Sequence, residues 1–399
     1  MTLILACAAV CSAAAADYSM AKLDDRAPDG HVEIRGVAAG AFDPGLWEAG
    51  ALNWHFDSRA PLIEPKPGKF RNIYAPIVVR EDDRWRIYYG AWDGVETAYD
   101  RIYTAWTDDF LTIHDRHMVI DHGDFHHVCN CCAIRLPNGE YRLVATALLP
   151  GIHNRPVGFT SPDGLAWNGS APHVAKMDDL LKVDGYEGFA ESDINGMNAL
   201  LYEDGVYRLY FGDFRNFTNV FRASSTDFKN FTFDGPVLDG THAVNDVKRL
   251  DVDGEPWYLM AAHLNGDTLW YSLSRDGMSF DPVHVLTNNQ SEADRYMVAV
   301  GIVTDGERVL GIFYGAGASK GLAENRIFAK WLQKRVVFET AAGTLSEGAL
   351  GLGPDALLLP ASEEATGRFL VYAEDGVTLL HAGDEVTVRP GDVWQIGQD

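Results

Sequence analysis

Basic residues are scarce in this sequence: 33 Lys and Arg stand against 57 Asp and Glu, a net charge of −24. Such a surface repels phosphate backbones and anionic headgroups, which argues against nucleic acid as a partner. Cysteine is sparser still, with five in 399 residues, so no disulfide framework holds the chain together. No apolar run is long enough for a membrane span. Long amphipathic helix patterns are missing too, which excludes an α/β barrel, whose strands must alternate with helices. What remains is a chain with 47% apolar and 11% aromatic residues, enough for one large core or a main domain with a small companion.

The longest apolar stretch, residues 1–16, ends in Ser12-Ala13-Ala14-Ala15-Ala16 before Asp17. It reads as a secretory signal cleaved after Ala16, although it lacks a basic start. The expected location is therefore secreted or periplasmic. Ile4-Leu5-Ala6-Cys7 also resembles a lipobox, which would put a lipid anchor on Cys7 and make the chain an outer-membrane lipoprotein. Cleavage at Ala16 leaves Cys129, Cys131 and Cys132, expected as buried strand thiols or as a vicinal Cys131–Cys132 bond. A structural metal normally takes ligands from two separated elements, so no metal is expected on these cysteines.

One unit recurs five times, and this repetition is the most informative feature of the chain. Each copy is an apolar strand, a tight turn rich in Asp, Asn and Gly, and a second strand. The copies read APIVVREDDRWRIYYGAWDG from Ala75, CCAIRLPNGEYRLVATA from Cys131, MNALLYEDGVYRLYFGD from Met197, DVKRLDVDGEPWYLMAAH from Asp246 and VAVGIVTDGERVLGIFYGAG from Val298. Their turns, at Asp83, Gly139, Gly205, Gly254 and Gly306, lie about 49 to 66 residues apart. A third strand follows most copies, seen in TSPDGLAW, SSTDFKNFTF and SRDGMSF.

That spacing suits four-stranded blades, so the fold class is all-β, a five-bladed β-propeller with a small C-terminal β appendage. The expected organisation is a signal at 1–16, an N-terminal extension at 17–71, a propeller at 72–340 and the appendage at 341–399. The strand HVEIRGVA from His31 is the candidate for closing the last blade, which is expected to run through IFAKWLQKRVVFE.

In a propeller, the start of each inner strand and the end of the second strand share one face. Twelve residues before the shared turn, the copies carry Arg71, His127, Asp193, His242 and Asp294, a uniformly polar ring. Eight before it they carry Ala75, Cys131, Met197, Asp246 and Val298, so Asp246 is a lone charge among apolar positions, where burial should raise its pKa. Trp92, Asp93, Asp213, Arg215 and His263 end the second strands on the same face.

The pattern Ala-Pro-hydrophobic, turn, then aromatic-x-hydrophobic-Tyr-Tyr-Gly in Ala75–Gly90 resembles the blades of five-bladed glycoside hydrolases, the arabinanase, β-xylosidase, invertase and neoagarobiose hydrolase group. The resemblance covers residues 72 to 338 as architecture. It implies hydrolysis of a glycosidic bond in an oligosaccharide or polysaccharide by paired carboxylates, with inversion the commoner outcome. It places a catalytic aspartate at Asp246, where Val247 stands for the usual proline. The first-blade base position is Ala75, so that role is not carried over.

A glycosidase needs one protonated and one ionised carboxyl group. Glu187 and Glu191, leading the third copy, are candidates for the acid, and Asp193 and Asp294 for the base. Asp246→Asn is expected to lower turnover by roughly 10² to 10⁴-fold. Arg71, Trp92, Asp93, His127, Asp213, Arg215, His242, His263 and Arg295 are candidates for binding the carbohydrate, with Trp92 as a stacking face. The acidic surface favours neutral sugars. No cofactor is expected. The resemblance allows a structural cation in the axial channel, for which the ring offers His127, His242, Asp193 and Asp294. A phosphorylase, using Arg71, Arg295 and His242 for phosphate, and an inactive carbohydrate-binding propeller are the alternative readings.

Overall fold

The computed structural model describes residues 18–23, 42–50, 52, 54–57, 60–67, 71–108, 110, 112–150, 153–187, 189, 192–194, 198–332, 334–350, 355–358, 364–373, 377–390 and 392–398. The signal segment and the strand expected from His31 lie outside them. The chain divides into two compact units, Ala39–Leu332 and a second formed by Met1–Ala38 with Gln333–Asp399.

The larger unit holds five sheets in chain order, antiparallel except for a short parallel edge strand on the first and on the third. The first contains Ile73–Arg80, Trp85–Ala91, Arg101–Thr107 and His114–Asp121; the second contains His127–Arg135, Tyr141–Leu148 and Asn154–Ser161. The third is Ala199–Glu203, Val206–Gly212, Asn219–Ser225 and Asn230–Asp239, and the fourth Ala243–Val252, Glu255–His263, Thr268–Ser274 and His284–Asn288. The fifth is Tyr296–Asp305, Arg308–Gly317 and Arg326–Leu332, closed by Trp54–Phe56 from the N-terminal side. The first strand of each sheet touches the first strand of the next, and Tyr296–Asp305 returns to Ile73–Arg80, so the five inner strands form a closed cycle.

The hairpins follow from the turn chemistry that marks the repeat. Glu203 pairs with Val206 and Val252 with Glu255, leaving the two-residue loops Asp204-Gly205 and Asp253-Gly254. Both residues of each loop have positive φ, which a short polar residue followed by glycine tolerates and which matches the twist of the flanking strands. Second strands are buried along most of their length, Trp85–Ala91 throughout, because a sheet faces them on either side. The third-strand turns are a repeated device. Ser161 Oγ, Ser225 Oγ and Ser274 Oγ each accept from the next peptide nitrogens and meet Asp163, Asp227 and Asp276, whose carboxylates accept two further N–H groups.

Side chains tie neighbouring sheets where backbone ladders cannot reach. Tyr88 donates to the Gly164 carbonyl and Tyr210 to that of Gly277, at 2.9 and 3.0 Å. Near the axis, inner strands bulge between Tyr74 and Ile77, Cys129 and Cys132, Val244 and Asp246, and Met297 and Ala299. Three of these bulges take in Ala75, Cys131 and Val298, the repeat position eight residues before the turn, while in the fourth sheet the bulged residue is Asn245, next to Asp246; Met197, the fifth member, lies outside the described residues.

Among the described residues, the N-terminal strand that pairs with Arg326–Leu332 is Trp54–Phe56, beside a short helix, Pro44–Glu48, capped by Asp43 and anchored by buried Trp47 edge-on to Tyr271. Three expectations are corrected. Lys334–Thr340 pairs with Gly343–Leu350 and Ala365–Tyr372, not with Arg326–Leu332, so the larger unit ends at Leu332 rather than at 340. The second sheet keeps three strands, because His173–Val174 and Lys182–Asp184 add in parallel to the outer edges of the first and third sheets. The smaller unit is not purely C-terminal: Tyr18–Leu23 pairs with Val393–Gln398, and Val336, Phe338, Phe369, Val371, Val388 and Trp394 form its core.

Candidate functional site

The ring positions do not behave alike. His127 and Asp193, of the second and third sheets, enter one polar network with groups of the first, whereas Arg71 is exposed and takes no part in it. The peptide nitrogen and side-chain amide of Asn154 both donate to Asp193 Oδ1, at 3.0 and 2.8 Å, and the amide oxygen of Asn154 meets His127 Nε2 at 3.2 Å. On its other side, His127 Nδ1 lies 3.7 Å from Asp100 Oδ2, which accepts from the Tyr74 hydroxyl at 3.0 Å. The Asp193 peptide nitrogen donates to Asp213 Oδ1 at 2.8 Å, and Tyr186 donates to Asp213 Oδ2 at 2.8 Å. The chain Tyr74, Asp100, His127, Asn154, Asp193, Asp213 and Tyr186 therefore crosses the entry ends of three adjacent sheets.

Burial raises the Asp100 carboxyl above the ordinary carboxylate range, with His127 and then the Tyr74 hydroxyl pulling it back. Tyr74 and the Cys129 thiol are pushed up by burial first and by Asp100 second. His127 and Asp193 keep partial exposure. Only Oδ1 of Asp193 accepts a hydrogen bond among the described residues.

In the fifth sheet the corresponding group, Asp294, is consumed by the fold, whereas His242 of the fourth is half-buried with neither ring nitrogen partnered among the described residues. Asp294 was expected to face the axis as a base. Its carboxylate is fully buried instead, accepting from the Gln290 and Ser291 peptide nitrogens, the Ser291 hydroxyl and the Tyr314 hydroxyl. Asp246 was expected at the mouth of the funnel. It is likewise 0% exposed, with Oδ2 accepting from the Ile302 peptide nitrogen at 2.9 Å and facing Lys248 Nζ at 3.1 Å, while Oδ1 has no partner. Burial raises its pKa, as anticipated, and Lys248 is the main opposing influence. Beside it, Asn245 accepts from the Val300 peptide nitrogen and holds His263, which burial lowers to about 4. His242 packs edge-on to Trp270, and burial lowers its pKa also.

Other expected positions divide in the same way. Glu191 lies outside the described residues, and Glu187 is exposed. Asp93 is a buried clamp on the preceding segment, accepting from the Lys66 peptide nitrogen and from Arg116. Trp92 is buried, so it offers no stacking face; the exposed aromatics near the network are Tyr99 at 42% and Phe214 at 40%. Arg71 is exposed, Arg215 reaches His153, and Arg295 pairs with Glu292 over Tyr296. His127, His242, Asp193 and Asp294 do not converge as a cation site; the donors that converge among the described residues are Asp100, His127 and Cys129. All three cysteines of the second sheet are free thiols, so there is no Cys131–Cys132 bond.

Asp100 and Asn154 escaped the sequence reading because only the ends of first and second strands were aligned. Third strands start on the same face, and the shared pairs Asp100-Arg101 and Asn154-Arg155 were the available signal. At the turn end of the larger unit, a depression of about 220 Å³ lies between the first two sheets. Most of its charges are paired with one another, Glu81 with Arg84, Arg86 and Tyr141, and Asp82 with Arg135.

No family model and no curated protein matches the chain. Among solved structures, it is similar to the catalytic domain of the GH62 α-L-arabinofuranosidase of Coprinopsis cinerea at 14% identity, covering 70% of this chain and 96% of that one, with a TM-score of 0.51. The fold is that of the glycosidase propellers. A glycosyl hydrolase from Bacteroides ovatus aligns at 12% identity over 70% of this chain and 94% of its own, TM-score 0.51. The α-L-arabinofuranosidase of Podospora anserina, in complex with cellotriose, aligns at 12% over 70% and 96%, TM-score 0.50. No helix among the described residues is long and apolar enough to cross a membrane.

Proposed function

We propose that this chain is an exported glycoside hydrolase, its five sheets the blades of a five-bladed propeller and its site the polar network across the entry ends of the first three. The observation that carries this reading is Asp193: a partly exposed carboxylate held by Asn154 through one oxygen, with the other unengaged, on a platform pinned by Asp213 and Tyr186. Asp193 is the ionised partner that activates water. A glutamate of the segment leading into the same sheet, Glu187 or Glu191, is the acid that protonates the leaving oxygen. Tyr99 and Phe214, exposed and adjacent in sequence to Asp100 and Asp213, supply apolar faces for sugar rings. Asp246 and Asp294 act by positioning, holding the inner strands of the fourth and fifth blades. Inversion is the outcome implied by the resemblance to the propeller hydrolases.

The test is incubation of purified protein with a panel of neutral oligosaccharides, arabinofuranosyl-decorated ones first, read as new reducing ends. Turnover that Asp193→Asn abolishes supports the reading, and the anomer formed first, seen by NMR, decides inversion. Products that require phosphate would make it a phosphorylase. The consumption of Asp93, Asp246 and Asp294 by the fold favours one other reading, a carbohydrate-binding propeller without chemistry. Saturable binding with no products across the panel would establish that instead.

A further inference from the structure

Asn154 determines which nitrogen of His127 carries the proton. Its amide nitrogen is committed to Asp193 Oδ1 at 2.8 Å, so its oxygen is the atom that meets His127 Nε2 at 3.2 Å. An amide oxygen only accepts, hence Nε2 is the donor and the neutral ring turns the lone pair of Nδ1 inward. That lone pair faces Asp100 Oδ2 at 3.7 Å. Two acceptors confronting each other in a largely buried place need a positive charge between them, a proton or a metal ion.

Cys129 supplies a third donor. Strand alternation puts His127 and Cys129 on one face, and the bulge that follows changes the phase, so that Cys132 accepts instead from the Leu200 peptide nitrogen of the third sheet. The ligand atoms of Asp100, His127 and Cys129 all lie within 4.8 Å of one another. Four-coordinate zinc, with bonds of about 2.0 to 2.3 Å, spaces its donors by about 3.3 to 3.8 Å, so a small contraction closes the set. Independently, Asp100 Oδ1 makes no hydrogen bond of good geometry among the described residues; the Asn72 side chain lies against the Asp100 carboxyl and lowers its pKa.

We propose that Asp100, His127 Nδ1 and Cys129 Sγ bind one thiophilic divalent cation of the zinc class, leaving a fourth position open. Carboxylate, imidazole and thiolate together neutralise the ion, and the Cys129 thiol proton leaves to solvent on binding. Asn154 and Asp193 behind His127 are the outer partners that orient a ligating ring. Partly exposed His127 is the route of entry. The site stands whether or not the protein cleaves a glycoside.

The experiment is titration of chelator-stripped full chain with Co²⁺, then with Zn²⁺. One equivalent of Co²⁺ should give a sulfur-to-metal charge-transfer band and the visible bands of a four-coordinate site, displaced by Zn²⁺. Cys129→Ser should remove the sulfur band, Cys131→Ser should leave it, and Asn154→Leu should weaken zinc binding by about 10 to 100-fold. If Cys129→Ser fails to fold, His127→Gln and Asp100→Asn replace it, each losing stoichiometric binding. No stoichiometric binding to the folded wild-type chain would overturn the proposal and leave a proton shared by Asp100 and His127. A cobalt spectrum untouched by these substitutions would overturn it equally.

Discussion

The entry ends of the first three sheets and those of the last two are built from the same repeat, yet they spend their polar groups differently. His127 and Asp193 join a network that keeps one carboxylate oxygen open, whereas Asp246 and Asp294 are closed over by Ile302, Lys248, Ser291 and Tyr314. Position in a repeat thus selects where a side chain starts, and its neighbours select whether it stays open to solvent or is taken up by the fold. A buried acceptor next to an unsatisfied peptide N–H relieves a cost of about 1 to 3 kcal/mol, which is reason enough for a strand entry to consume it.

The widest separation between the two regions should come from paired substitutions. Asp193→Asn is expected to lower turnover by about 10² to 10⁴-fold while changing unfolding free energy by less than about 1 kcal/mol. Asp294→Ala should do the reverse, costing about 4 kcal/mol in denaturant unfolding because Tyr314 and two peptide nitrogens lose their acceptor, with kcat/KM of the folded fraction within a few-fold of wild type. If Asp294→Ala were stable and inactive, the division between the two ends would be wrong.

A pH titration sharpens the contrast further. His263 titrates near 6.5 when unfolded and at about 4 when folded, so the unfolded chain binds the extra proton. Its contribution is intact above pH 6.5 and is lost as pH falls from 6.5 to about 4, reaching about 3 kcal/mol at the low end. Replacing His263 with Gln should flatten stability over that window, measured by chemical denaturation at successive pH values. The smallest effects should be those shared by both regions: Ser161→Ala, Ser225→Ala and Ser274→Ala remove the same hydrogen bonds from the same turn and should each cost about 1 kcal/mol. Unequal costs would mean that the turns are less equivalent than their geometry.

Much of the fold was legible before any coordinates. Turn pairs such as Asp204-Gly205 enforce positive φ locally, and five apolar strand pairs in phase leave few ways to bury both faces. The N-terminal strand that pairs with Arg326–Leu332 was not legible, because Trp54–Phe56 is only three residues long and carries no alternation. Tyr18–Leu23 was missed as a partner of Val393–Gln398, since pairing between opposite ends of a chain leaves no local trace.

Part of the candidate network was legible. The ring alignment selected His127 and Asp193, which share it, and ranked Asp246 highest because a lone charge among apolar positions looks functional; the contact of Asp246 with the Ile302 peptide nitrogen is invisible in one strand's residues. By itself the sequence determined the repeat, the all-β character, the acidic surface and the burial of Asp246, all of which follow from local turn chemistry, hydrophobic pattern and composition. Only the tertiary structure decided which polar groups are free, because a hydrogen-bond partner for Asp294 or an unpaired lone pair on His127 depends on atoms that distant strands bring within about 3 Å.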